Sequence, residues 1–155
     1  MERSKVIWKR PGFLLRRLQQ ISVAIFINEC ASSDLEITAV QWGVLSIVSE
    51  YPGVGQIEIA EELGLDRSNT ANVVDRLTKR GLLRQKLSAA DQRKKEITIT
   101  RAGEKIMEQL EGCAQRFQRK LLGPLTESER EIFVELLTRL VQGNNHLGRA
   151  HMRMA

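Results

Sequence analysis

The chain has very few of the residues from which metal sites and disulfide frameworks are built. Two cysteines and two histidines occur in 155 residues. Cys30 and Cys113 are far apart with no CxxC, and His146 and His151 both fall near the C-terminus, so the spaced ligands of a zinc site are missing. The cysteines read as small buried thiols, with a redox-sensing thiol as the alternative; only a lowered pKa would make either reactive. No HExxH, P-loop, GxSxG or GxGxxG is present, and no histidine stands near an acid or serine in the folded segments. Neither an enzyme nor a cofactor is therefore expected. No apolar run approaches the ~18–20 residues that span a bilayer. The opening MERSKVIWKRPGF lacks the continuous apolar stretch and cleavage site of a signal peptide. A cytoplasmic protein with no membrane partner is expected, and there is no internal repeat or low-complexity segment.

One sign of charge is missing from a long stretch. Residues 18–65 contain no Lys or Arg and seven acids. Residues 1–17 carry six basic groups against one acid, and residues 66–101 carry ten against four. The net charge of the chain is only +5, but the positive charge gathers in one central segment, the footprint of a polyanion partner. A charge run of this kind also suits a solvated face.

The length fits one domain, and the 42% hydrophobic content suffices for a core. A first helix is predicted from Pro11 to about residue 30, with Leu14, Leu18, Ile21 and Ile25 on one stripe. The polar stretch ASSD (31–34) should end it. Thr38 can cap a second helix, which YPGVG (51–55) stops. QIEIAEEL (56–63) forms a third helix, Gly64 supplies a left-handed residue, and Asp66 caps a fourth running to Gly81. Helix, short Gly-containing turn and helix make a helix-turn-helix. LLRQKL (82–87) and EITIT (96–100) read as two strands joined by a basic loop, which together make a wing. A long helix follows from Arg101, with Thr100 capping it and Ile106, Leu110, Cys113 and Phe117 on its stripe. Thr126 and Glu129 form a capping box for a last helix bearing Ile132, Phe133, Leu136, Leu137 and Leu140. The expected fold class is mainly α with a small β-hairpin wing.

In the fourth helix Val73, Val74 and Leu77 should face the core. Arg67, Ser68, Asn69, Thr70, Asn72 and Arg76 are then left for a partner. Short hydrogen-bonding side chains at the start of such a helix can reach base edges in the major groove, with Asn suited to adenine and Arg to guanine. The same residues also suit an ordinary exposed face. The wing tilts the reading toward DNA, because Arg93, Lys94 and Lys95 at a hairpin tip can enter a minor groove. Asp91 is expected to orient Arg93, or to hold Arg76, or to serve as a simple turn residue.

The run QIEIAEELGLDRSNTANVVDRLTKRGLL followed by DQRKKEITIT resembles the MarR family of bacterial transcription regulators. The family's Asp-x-Arg wing pattern with a later aliphatic residue and Thr is matched by Asp91, Arg93, Ile99 and Thr100. The resemblance extends over essentially the whole chain. It implies a homodimeric winged helix-turn-helix protein, with a DNA-binding lobe at 36–100 and dimerisation helices at 11–30 and 101–145. It implies double-stranded DNA as partner, read as a palindromic operator with half-sites ~10 bp apart. Most members repress, and many release DNA when a small molecule binds between the dimerisation helices and the lobe. PGFLLRRLQQISVAIF (11–26) is similar to a subgroup that controls breakdown of aromatic acids or their CoA thioesters. On that resemblance Arg16 or Arg17 would pair with an effector carboxylate, though surface charge or a dimer ion pair suits them too. Trp42 reads first as a core anchor and second as an aromatic wall for the effector.

Overall fold

Short polar residues fix where four of the helices begin, because each supplies a bond that the first turn of a helix cannot make for itself. The computed structural model describes residues 9–31, 36–89 and 91–153. Among these residues six α-helices and one hairpin follow in order: α1 (Pro11–Ala31), α2 (Ala39–Glu50), α3 (Gln56–Leu63), α4 (Arg67–Lys79), β1 (Leu83–Leu87), β2 (Lys95–Ile99), α5 (Arg101–Leu121) and α6 (Glu127–Asn144). Thr38 and Gln41 form a reciprocal capping box on α2, and Thr126 and Glu129 do the same on α6. The Asp66 side chain caps α4 and that of Thr100 caps α5. Ser32 to Asp34, expected to close α1, lie outside the described residues. Among the described residues no helix is long and apolar enough to cross a membrane.

The two strands pair antiparallel, with Leu83 opposite Ile99, Gln85 opposite Ile97 and Leu87 opposite Lys95. The alternation of EITIT is realised as expected, with Ile97 fully buried and Glu96 exposed. YPGVG does more than break a helix. Gly53 donates its N–H to Ile97 and Val54 pairs with the same residue, so the free edge of β2 carries a short third rung. That rung ties the wing to the end of α2.

The core sits where α2, α3, α4, β2 and α5 meet, on Val44, Leu45, Val48, Ile59, Val74, Leu77, Ile97 and Leu110. Phe26 of α1 joins it, stacking on Trp42 with centroids 5.9 Å apart and meeting Phe117 edge-on at 5.7 Å. Gly103 allows α5 to start hard against the wing, since a Cβ there would collide with the Leu82 carbonyl and lie 2.6 Å from Ile99 Cγ1. α1 and α5 are pinned by the buried carboxylate of Glu29, which accepts from Arg116 Nε at 2.9 Å and pairs with Lys120.

The stripe expected on α1 divides into two uses. Ile25 packs on the core, whereas Leu14 and Ile21 are exposed. On α6 no residue is buried, and Ile132, Leu136 and Leu140 are about half exposed. The facing apolar residues of α1 and α6 instead line an open groove of about 530 Å³, which includes Leu14, Leu18, Phe133 and Leu137. Helical periodicity identifies an apolar face correctly, but it does not say whether the chain itself covers that face.

Candidate nucleic-acid interface

The start of α4 is set by Asp66. Its Oδ1 accepts the Asn69 N–H at 2.8 Å, and its Oδ2 accepts from the Asn69 amide at 3.0 Å. One amide hydrogen of Asn69 is thereby held, and the side chain is fixed on the solvent side with its carbonyl open. Arg67, Ser68, Asn72 and Arg76 are all exposed on the same helix. Asn69, Asn72 and Arg76 recur at three- and four-residue intervals and so lie along one ridge.

Thr70, expected to face a partner, departs from this set. It is fully buried, and its hydroxyl donates to the Asp66 carbonyl at 3.0 Å. The spacing 70, 74, 77 puts it on the same face as Val74 and Leu77, a signal legible in the sequence that its polar character obscured.

The wing tip is organised by Asp91. Its Oδ1 accepts the backbone N–H of Arg93 at 3.0 Å, its carbonyl accepts the N–H of Lys94 at 2.8 Å, and the Arg93 Nε lies 3.6 Å from the same carboxylate. Asp91 thus builds the turn and contacts Arg93; among the described residues it forms no ion pair with Arg76. The Arg93 side chain is 95% exposed, and Lys94 and Lys95 are exposed beside it. Among the described residues Lys94, Lys95, Arg67 and Arg76 form no ion pair, so these cations are not neutralised by the protein's own acids.

Sequence reasoning missed how helix and wing are joined. Gln85, at the middle of β1, donates its amide to Asp75 Oδ1 at 3.2 Å and to Thr78 Oγ1 at 3.1 Å, both on α4. Thr78 passes the chain of bonds to the Val74 carbonyl at 2.8 Å. Strand alternation does put Gln85 on the inward face with Leu83, but nothing local to β1 names α4 as its partner. Arg84 and Lys86, on the opposite face of β1, add two exposed cations to the wing.

The residues expected at an effector site are not brought together. Arg16 is exposed, and Arg17 lines the groove between α1 and α6. Trp42 is half-buried against Phe26, which follows Arg17 by nine residues, about 14 Å along a helix rising 1.5 Å per residue. Trp42 packs against the buried core. The two cysteines, distant in sequence, are neighbours in the core. Burial, and then the adjacent Cys113, push the Cys30 thiol up to about 11. That direction is opposite to the lowered pKa of a reactive thiol. Among the described residues no cluster of His, Cys, Asp and Glu could hold a metal ion.

Comparison with known proteins agrees with this architecture. The family model described as MarR family matches residues 35–94. Transcriptional regulator HosA of Escherichia coli O157:H7 is 28% identical over 127 residues, 82% of this chain and 91% of HosA. The solved structure of the PcaV transcriptional regulator from Streptomyces coelicolor, in complex with its natural ligand, is 32% identical. It matches over 88% of this chain and 94% of PcaV, with a TM-score of 0.79. BpsR of Bordetella bronchiseptica, solved in a study of the regulation of its DNA binding by 6-hydroxynicotinic acid, is 30% identical with a TM-score of 0.80. That match covers 85% of this chain and 93% of BpsR.

Proposed function

The chain belongs to the MarR family of transcriptional regulators, and on that premise we propose that it is a homodimeric repressor of a palindromic operator, released by a small aromatic acid or its CoA thioester. It is a regulator and not an enzyme, as its relatives are. In this reading residues 36–100 form the DNA-binding lobe, and 11–30 with 101–145 form the dimerisation helices. The dimer acts in the cytoplasm, where a bacterial chromosome lies. Each subunit sets α4 in a major groove, with Arg67, Ser68, Asn69, Asn72 and Arg76 facing base edges and phosphates. Arg93, Lys94 and Lys95 reach the adjacent minor groove, where negative potential concentrates.

The observation that carries this reading is the pairing of an exposed polar ridge on α4 with a projecting cationic tip, braced against each other through Gln85. A rigid brace suits readout of two grooves at a fixed separation. The exposed apolar groove between α1 and α6 supports self-association, since a second copy would remove from water the leucines that one copy leaves exposed.

The effector class is supported by the relatives. PcaV is described with a natural ligand and BpsR with an aromatic acid that regulates its DNA binding. Arg16 and Arg17 are the groups offered to the effector carboxylate. Release would follow if the bound acid favours a lobe spacing that no longer spans two successive grooves.

The test is selection of DNA from a randomised pool with the full-length protein, followed by a thermal-shift screen of aromatic acids and their CoA esters. The expected result is a palindrome with half-sites about 10 bp apart, displaced by an acid that also raises the melting temperature. Failure to enrich any sequence contradicts the DNA reading; enrichment that no such acid reverses contradicts the effector class.

A further inference from the structure

DNA binding and dimerisation leave the end of the chain without a role. After α6 a short 3-10 turn (Asn145–Leu147) reverses the chain and sends it back onto the helix-turn-helix. Asn145 closes that loop with both ends of its amide. Its Nδ2 donates to the Met152 carbonyl at 2.6 Å, and its Oδ1 accepts the Met152 N–H at 3.0 Å. Arg153 then lies along α3. Its backbone N–H donates to the Glu61 carbonyl at 2.6 Å, and its guanidinium reaches Glu61 Oε2 at 2.8 Å and Glu62 Oε1 at 4.0 Å.

The place where the tail lands matters. α3 has only eight residues, and Glu61 is in its last turn, so its carbonyl has no later N–H of the same helix to accept. The tail supplies that donor from outside, and the guanidinium brings positive charge to a helix C-terminus, the favourable sign for the helix dipole. Met152 covers the turn itself. Gly64 is left-handed with φ +60, and a Cβ there would lie 3.2 Å from Met152 Cβ. The turn that aims α4 is therefore held from one side by residues some ninety positions away.

A cavity of about 500 Å³ separates α6 from this region, lined by Leu63 on one side, Leu137 and Val141 on the other, and Met152. The tail spans it. We propose that residues 145–153 are a positioning strap: they tie α6 to the helix-turn-helix turn and so set the angle at which α4 is presented relative to the dimer. The proposal rests on the DNA-binding dimer of the preceding subsection and adds its positioning residues, Asn145, Met152 and Arg153.

The experiment compares the full chain with Asn145→Ala, Arg153→Ala, Arg153→Lys and a chain ending at Leu147, all of which retain α6. Hydrogen exchange is measured without DNA. The amides of Gly64 and Leu65, which bond to the Ala60 carbonyl, should exchange on the order of tenfold faster in the shortened chain, with Arg153→Lys intermediate between wild type and Arg153→Ala. Binding is then measured on duplexes carrying the palindrome recovered by the wild type, with the half-site separation increased or decreased by one base pair. Wild type should prefer its own spacing sharply, and the strap variants should discriminate several-fold less. Unchanged exchange at Gly64 and Leu65 overturns the strap. Faster exchange with an unaltered spacing preference overturns its positioning role. If the wild type recovers no palindrome, the parent reading fails instead, and the exchange data alone decide whether the tail holds the turn.

Discussion

Replacing Arg93 by alanine isolates the wing's electrostatic contribution, because almost nothing else depends on that side chain. It is 95% exposed, and its ion pair to Asp91 at 3.6 Å is of the solvent-exposed kind that contributes about 0–1 kcal/mol. The Arg93 backbone N–H that builds the turn survives the substitution. Folding stability should therefore be unchanged within error. In a dimer two such arginines are lost. If each neutralises one phosphate, the slope of log K against log salt flattens by about 1.8, at about 0.9 per phosphate. Between about 50 and 200 mM salt that change in slope makes the affinity gap between wild type and variant shrink about twelvefold. Fluorescence anisotropy on the recovered palindrome across this range measures it directly. A scrambled duplex should show the same flattening, because phosphate contacts carry no sequence. Parallel salt plots for wild type and variant would refute the assignment of Arg93 to the backbone or minor groove.

Other perturbations test other parts of the account. Asn72→Ala should cost about 1–3 kcal/mol on the preferred palindrome and much less on scrambled DNA; equal losses on both would show that Asn72 reads no base. Gly103→Ala forces a Cβ into the Leu82 carbonyl, and the overpacking cost of about 1–3 kcal/mol should outweigh the helix-propensity gain of up to about 1. Calorimetry should register a drop of several degrees, and an unchanged melting temperature would mean that α5 does not seat as described. Lys120 first, and Arg116 second, hold the Glu29 carboxyl below its ordinary value of 4.5. Its stabilising contribution is complete above that value and is lost as pH falls through the lower folded one. Glu29→Gln should accordingly lower the melting temperature at neutral pH and flatten its acid limb. A curve merely displaced, with the same acid slope, would place the linkage elsewhere.

Much of the fold is legible in the sequence because the helix ends are chemically marked. Thr38, Gly64, Asp66, Thr100 and Thr126 each do at their positions what their residue type does best, and the described boundaries follow them closely. The alternation of EITIT likewise fixes which strand face is buried. What escapes a linear reading is every relation between distant segments. Gln85 braces α4, Val54 pairs with β2, and Cys30 meets Cys113 across two helices; none of these has a local signature. Thr70 is a different failure, since its spacing did mark the core and its hydroxyl drew attention away. The faces of α1 and α6 show a third kind, in which the pattern is right and the described residues leave the apolar faces open in a groove. The tail GRAHMR has no periodicity at all, and only its landing place on α3 gives it meaning.

The central claim is that α4 and the wing together engage two successive turns of DNA from a two-fold dimer. Hydroxyl-radical footprinting on the recovered palindrome tests it most directly. Symmetric protections on both strands are expected, centred about 10 bp apart, with an outer pair over the flanking minor grooves that weakens in Arg93→Ala while the inner pair remains. A single asymmetric footprint, or outer protections unchanged in strength by the loss of Arg93, would contradict it.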